Sequence, residues 1–181
     1  MNSRGLAYRV RPESHAPVTM HRLRRFHNRH EGERCVIVAN GPSLNKMDLS
    51  VLRRETVLGM NKIYLGMRRF GFYPRYYVSV NKQVLTQAAA EIRALNCVKF
   101  VSQRVPESII PEDGLTYRIQ TKRVPCRFCH DITHGIEEGG TVTYAALQIA
   151  YFMGFHRVVI VGMDHRYSYE GKPNESRAVT A

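Results

Sequence analysis

The chain has 181 residues, 44% apolar and 23% charged, and a net charge of +12. This suits one folded domain with a real core and excludes a disordered chain. No apolar run approaches the roughly 20 residues that cross a bilayer, and Met1–Met20 lacks the apolar core of a secretory signal. Four cysteines do not suggest a disulfide framework, so the expectation is a cytoplasmic protein.

Residues 1–20, broken by Pro12 and Pro17, read as a flexible tail, and residues 21–181 as the domain. Residues 1–34 hold eight Arg and three Glu, densest between His21 and His30. A short helix is expected from Val18 to about His30, solvated on its basic side. Leu23 and Phe26, three apart, are expected to dock on the core. Contact with an anionic membrane surface through this segment is an alternative. Nucleic acid is not expected as a partner, because no aromatic stacking platform accompanies the charge.

The first strand is expected at Arg34–Ala39, a β-branched run that stops at Asn40-Gly41-Pro42-Ser43. Ser43 is expected to cap a brief turn, and Asp48 to cap Leu49–Arg54. A second strand, Thr56–Met60, ends at Asn61. A helix follows over Lys62–Phe70, stopped by Gly71 and Pro74. A third strand, Tyr76–Val80, ends at Asn81. Val84–Leu95 has a helical apolar side, and Lys99–Ser102 reads as a fourth strand. Residues 103–138 are the least regular, with one further strand at Leu115–Ile119. Gly139-Gly140-Thr141 opens a strong helix to Met153, ended by Gly154. Arg157–Val161 reads as a buried strand leading into Gly162-Met163-Asp164-His165, and residues 166–181 as a loop. Apolar strands alternating with helices imply an α/β fold: a parallel sheet covered on both faces.

Ligands of such sheets bind beyond the carboxyl ends of the strands. Asn40, Asn61 and Asn81 each follow a strand. If those strands are neighbours, their amides lie about 5 Å apart per strand along one crevice. An amide offers donors and an acceptor, which suits a ribose, a base edge or a phosphate. Gly41 allows close approach of the backbone, and Ser43 belongs to the same loop. Gly140, Thr141 and Thr143 stand at a helix start, where free N–H groups and the dipole favour an anion. Neither a Walker loop nor a Gly-x-Gly-x-x-Gly fingerprint is present. Asp164 and His165 are candidates for acid–base chemistry beside the last strand. Glu137 and Glu138 read as solvated loop charges. Cys126-Arg-Phe-Cys129-His130 matches a haem-attachment pattern, but such attachment belongs to exported chains. Its spacing is too tight for a four-ligand zinc site with His134. It is read as a loop with incidental thiols, and no metal site is expected.

The segments Cys35–Leu44, Gly59–Leu65, Tyr76–Asn81, Gly139–Tyr144 and Val161–His165 together resemble the 6-hydroxymethylpterin diphosphokinase MptE-like family, over roughly residues 22 to 175. The chain is more distantly similar to bacterial sialyltransferases that use a cytidine-monophosphate sugar donor. The resemblance implies a Rossmann-like fold with a nucleotide crevice. Asn40, Asn61 and Asn81 match, in order, the asparagines that contact the sialyltransferase donor, and Thr141 falls at a donor-contacting helix start. The implied protein is a transferase with a nucleotide-activated donor, in bacterial surface polysaccharide synthesis, with a glycan acceptor. Alternatives are pyrophosphate transfer from ATP to a pterin alcohol, with magnesium, and a non-catalytic nucleotide-binding module. The resemblance also implies further segments, including a catalytic His in the sialyltransferases, beyond Ala181. An incomplete domain is therefore expected.

Overall fold

The computed structural model describes residues 21–122 and 127–164. The tail expected over residues 1–20 and the loop over 166–181 lie outside them. Six strands form one parallel sheet: β1 Arg34–Val38, β2 Thr56–Met60, β3 Tyr76–Ser79, β4 Val98–Ser102, β5 Thr116–Ile119 and β8 Arg157–Val161. Their order is β5-β4-β3-β2-β1-β8. Every neighbouring pair is parallel. A two-stranded parallel pair, β6 Thr121–Lys122 and β7 Ile136–Glu137, falls in the stretch that looked irregular in the sequence.

The period-2 geometry of the strands divides the core in two. Cys35, Ile37, Leu58, Met60, Tyr76, Val78 and Phe100 point to one face. Val36, Val38, Val57, Tyr77 and Val101 point to the other. The first face is covered by helix α4, Val142–Phe152, and by the basic segment. The second is covered by 3-10 turns at Pro42–Lys46, Ser50–Arg54 and Ile63–Leu65. Helices α1 Met67–Phe70, α2 Lys82–Gln87 and α3 Ala89–Ala94 complete that layer.

Several elements differ from the sequence reading. Among the described residues, the basic segment is helical only at 21–24 and then turns through residue 32. Asn28 at φ 52° and Gly32 at φ 77° leave the right-handed helical region there. Leu23 and Phe26 are nonetheless buried, and Phe26 meets Tyr76, Phe100 and Tyr117 edge to face. Lys62–Phe70 is not one helix. It breaks at Gly66, where a Cβ would collide with the Phe70 ring. Val84–Leu95 is likewise two helices, broken at Ala88 with φ −114° and ψ 26°, although Leu85, Ala88 and Ile92 all bury. Ser43 lies inside its 3-10 turn rather than capping it. Strand β8 is not buried: Val159 is 43% exposed, because β8 stands at the edge of the sheet among the described residues. No helix among the described residues is long and apolar enough to cross a membrane.

Glu137 and Glu138 are not solvated loop charges either. Glu137 is buried, and its carboxylate accepts the Arg127 N–H at 2.6 Å. Glu138 accepts from the Arg104 guanidinium at 3.0 Å. The β6–β7 pair and α4 pull this stretch inward, which no local pattern announces.

Candidate functional site: the carboxyl rim of the sheet

The chain leaves β1 towards β2 and returns as β8 on the opposite side of β1. This reversal opens a crevice at the carboxyl ends of β1 and β8. The loops there are tied together. The Ala39 N–H donates to the Val161 carbonyl at 2.9 Å, and the Gly41 N–H to the Gly162 carbonyl at 2.8 Å. Asp164 clamps the next turn, accepting the Ser43 N–H at 2.7 Å and the Ser43 hydroxyl at 2.6 Å. Gly41 has ordinary extended dihedrals, so conformation does not require glycine. Space does: a Cβ there would lie 2.5 Å from Asp164 Cγ and 2.6 Å from the Gly162 carbonyl oxygen.

Asn40, Asn61 and Asn81 follow β1, β2 and β3, which are adjacent and parallel. Each engages half of its amide in the scaffold. Asn40 Nδ2 donates to the Met60 carbonyl at 3.0 Å, which leaves Oδ1 without a hydrogen-bond partner among the described residues. Asn61 Oδ1 accepts from the Ser79 hydroxyl at 3.1 Å, which leaves Nδ2 without one. Asn81 Oδ1 caps α2, accepting from the N–H groups of Gln83 and Val84 at 2.8 and 3.3 Å, and Nδ2 is left. One acceptor and two donors thus remain along the rim. Asn61 sits at φ 47°, a left-handed conformation that Asn tolerates better than most residues. Its carbonyl accepts from the Tyr77 hydroxyl at 2.7 Å. Burial pushes the Tyr77 phenol above its ordinary range, so it stays protonated and keeps that bond.

Helix α4 runs antiparallel to the strands. Its last turn is held at the amino end of the sheet, where Asn28 and His30 donate to the carbonyls of Phe152 and Met153. Eleven residues at about 1.5 Å each match a five-residue strand at about 3.3 Å each. Gly140 and Thr141 therefore come to the same rim as the asparagines. Gly140 is at φ 75° with open space where a Cβ would stand. Thr141 is exposed and caps the helix, accepting the Thr143 N–H at 3.3 Å. Thr143 itself is buried, only 4% exposed.

The sequence profile of the 6-hydroxymethylpterin diphosphokinase MptE-like family matches residues 13–170. The chain belongs to this family. Two curated relatives carry the name probable 3-deoxy-manno-octulosonic acid transferase. The one from Salmonella typhimurium is 25% identical, over 73% of this chain and 64% of its own length. The one from Escherichia coli is 25% identical, over 71% of this chain and 60% of its own length. This MptE-like chain thus spans less than two thirds of the relatives it matches. Among solved structures, a MAf glycosyltransferase from Magnetospirillum magneticum superposes with a TM-score of 0.58 at 16% identity. That match covers 88% of this chain and 29% of the other, and it shows a shared fold.

The rim brings together Asn40, Gly41, Ser43, Asn61, Asn81, Gly140, Thr141 and Asp164. His165 and Cys126 lie outside the described residues. Among the described residues no three His, Cys, Asp or Glu side chains cluster to hold a metal ion. The sequence reading missed Ser79, fully buried, which orients Asn61. Its signal was a hydroxyl in an otherwise aromatic and β-branched strand.

Proposed function

We propose that this MptE-like chain is the donor-binding part of a transferase that uses a nucleotide-activated sugar. Asn40, Asn61 and Asn81 contact the nucleotide through the half-amides left along the rim. Gly41 serves the packing of the β1 loop on Asp164 and the Gly162 carbonyl rather than the ligand approach its sequence suggested, and Gly140 and Thr141 face the donor's phosphate. Asp164 and His165 stand beside the reacting bond, with Asp164 also holding the Asn-Gly-Pro-Ser turn in shape. The names of the curated relatives support an acidic sugar as the transferred group, and a cytidine-monophosphate donor fits that class. The acceptor is a glycan, and the setting is cytoplasmic assembly of bacterial surface polysaccharide. The observation that carries this reading is the row of three asparagines on adjacent parallel strands, each with polar atoms to spare.

Calorimetric titration of the CMP, UDP, GDP and ATP series tests it. One series is expected to bind, with Asn40→Ala weakening it about tenfold or more, as for a lost hydrogen bond to a charged ligand. No heat from any series, or an unchanged affinity in Asn40→Ala, overturns it. The family description favours a second reading, pyrophosphate transfer from ATP to a pterin alcohol. Magnesium would then arrive on the nucleotide's phosphates and keep several of its waters, with Asp164, whose oxygens also hold Ser43, the carboxylate on this rim. AMP release in the presence of a pterin alcohol distinguishes that reading from glycosyl transfer.

A further inference from the structure

A second polar cleft lies apart from the asparagine row, on the α1–α3 face of the sheet. It has a volume of about 260 Å³ and opens between the turns Pro42–Lys46 and Ser50–Arg54 and helix α1. Arg53, Arg68 and Arg69 line it, with Asn45, Ser50 and the carboxylate of Asp48. Three guanidiniums against one carboxylate leave an excess of positive charge. Asp48 is turned to its own loop, where Oδ1 accepts the Ser50 N–H at 2.9 Å. Arg53 is fixed, because Nε donates to the Gly71 carbonyl at 2.6 Å. Glycine at position 71 allows that approach: a Cβ there would lie 2.7 Å from Arg53 Nη2. Arg68 and Arg69 are exposed, and among the described residues neither forms an ion pair or hydrogen bond. Arg53 thus has Asp48 and the Gly71 carbonyl as partners, while the neighbouring guanidiniums of Arg68 and Arg69 have none among the described residues.

We infer that this cleft is a binding site for a phosphate-bearing group, distinct from the nucleotide rim and independent of the reading given for it. Guanidinium pairs with phosphate through two parallel hydrogen bonds and gives up its hydration more readily than an ammonium. The cleft is below the roughly 300 Å³ at which drug-sized sites begin, and a small phosphate-bearing group fits within it. Asn45 and Ser50 offer neutral polar groups at the same wall. The phosphate belongs either to a soluble diphosphate or to an anionic lipid headgroup, and the chemistry that binds it is the same.

The test compares the full chain with Arg68→Ala/Arg69→Ala, two exposed changes that leave the core untouched. A charge-matched control, Arg93→Ala/Arg157→Ala, removes two exposed cations elsewhere. Inorganic pyrophosphate is titrated by calorimetry at low salt, and vesicles of phosphatidylglycerol are compared with phosphatidylcholine by co-sedimentation. The expected result is a loss of about tenfold or more in one of the two affinities for the Arg68/Arg69 variant and little change in the control. Loss confined to pyrophosphate assigns a soluble ligand, and loss confined to the anionic vesicles assigns a headgroup. Equal losses in the two variants, or no binding of either probe, overturns the inference.

Discussion

In the proposed reading Asn81 carries two duties on one side chain, and they can be separated. Its Oδ1 caps α2, while Nδ2 is left for a ligand. Asn81→Asp keeps a capping oxygen and places a charge that the helix dipole favours. Stability is expected to hold in that variant, while nucleotide affinity falls because a carboxylate replaces the donor. Asn81→Ala is expected to lose both, with a stability cost of about 1 kcal/mol for the missing cap. Urea titration and calorimetry read the two effects separately. Cys35 offers a second test at this scale. Burial pushes its thiol from 9.0 up to about 12, so the folded state keeps it neutral while an unfolded thiol ionises near its ordinary value. The stability this group contributes is therefore full below about pH 9 and lost as pH rises towards 12. Melting temperature against pH is expected to fall less steeply over that window in Cys35→Ala than in the parent.

Among the elements, α4 shows how one buried polar residue ties irregular chain to regular chain. Gln148 is fully buried and uses its whole amide. Oε1 accepts from the N–H groups of Cys129 and Glu137, both at 3.1 Å. Nε2 donates to the carbonyls of Glu137 and Tyr144 at 2.8 and 3.0 Å. Gln148→Ala strips three backbone groups of this partner at once, the N–H groups of Cys129 and Glu137 and the Glu137 carbonyl, while the Tyr144 carbonyl keeps its bond within the helix. A loss of about 2–4 kcal/mol is expected, since each buried orphan costs on the order of 1–3 kcal/mol before relaxation. Hydrogen exchange is expected to rise at Cys129 and Glu137 before it rises in β1. The same contacts explain why residues 103–138 were opaque in the sequence. Part of their order comes from Gln148, and part from the β6–β7 pair and the Arg104–Glu138 contact, and hydrophobic periodicity carries no trace of these. The helix over 142–152 was legible because its own pattern and its Gly-Gly-Thr start agreed. Helices α2 and α3 were legible as a buried side, but not as two pieces. Their break at Ala88 is a backbone event, and a favourable helix former gives no warning of it.

For the whole molecule, the decisive fact is that β1 sits between β2 and β8, so the chain's two halves meet at its carboxyl end. On the proposed reading, a ligand at that rim touches loops after β1, β2, β3 and β8 together and ties them into one cooperative unit. Binding to the native state alone raises stability, by about 2.7 kcal/mol at a hundredfold excess over Kd. The cognate nucleotide is therefore expected to raise the melting temperature, and the shift is expected to shrink in Asn40→Ala at the same ligand concentration. A shift that survives that substitution would place the ligand elsewhere.

The sequence by itself determined the alternating strands and helices, the Asn ending of β1, β2 and β3, and the docking of Leu23 and Phe26. These follow from local composition and period, which act within a few residues. Only the tertiary structure decided that β8 lies at an exposed edge, that Glu137 is buried, and that three arginines line one cleft. It also decided that Asp164 grips Ser43 across 121 positions of chain. Those outcomes depend on strand order and on contacts between distant segments. Strand order is settled by which faces can be buried together, and no single segment encodes that.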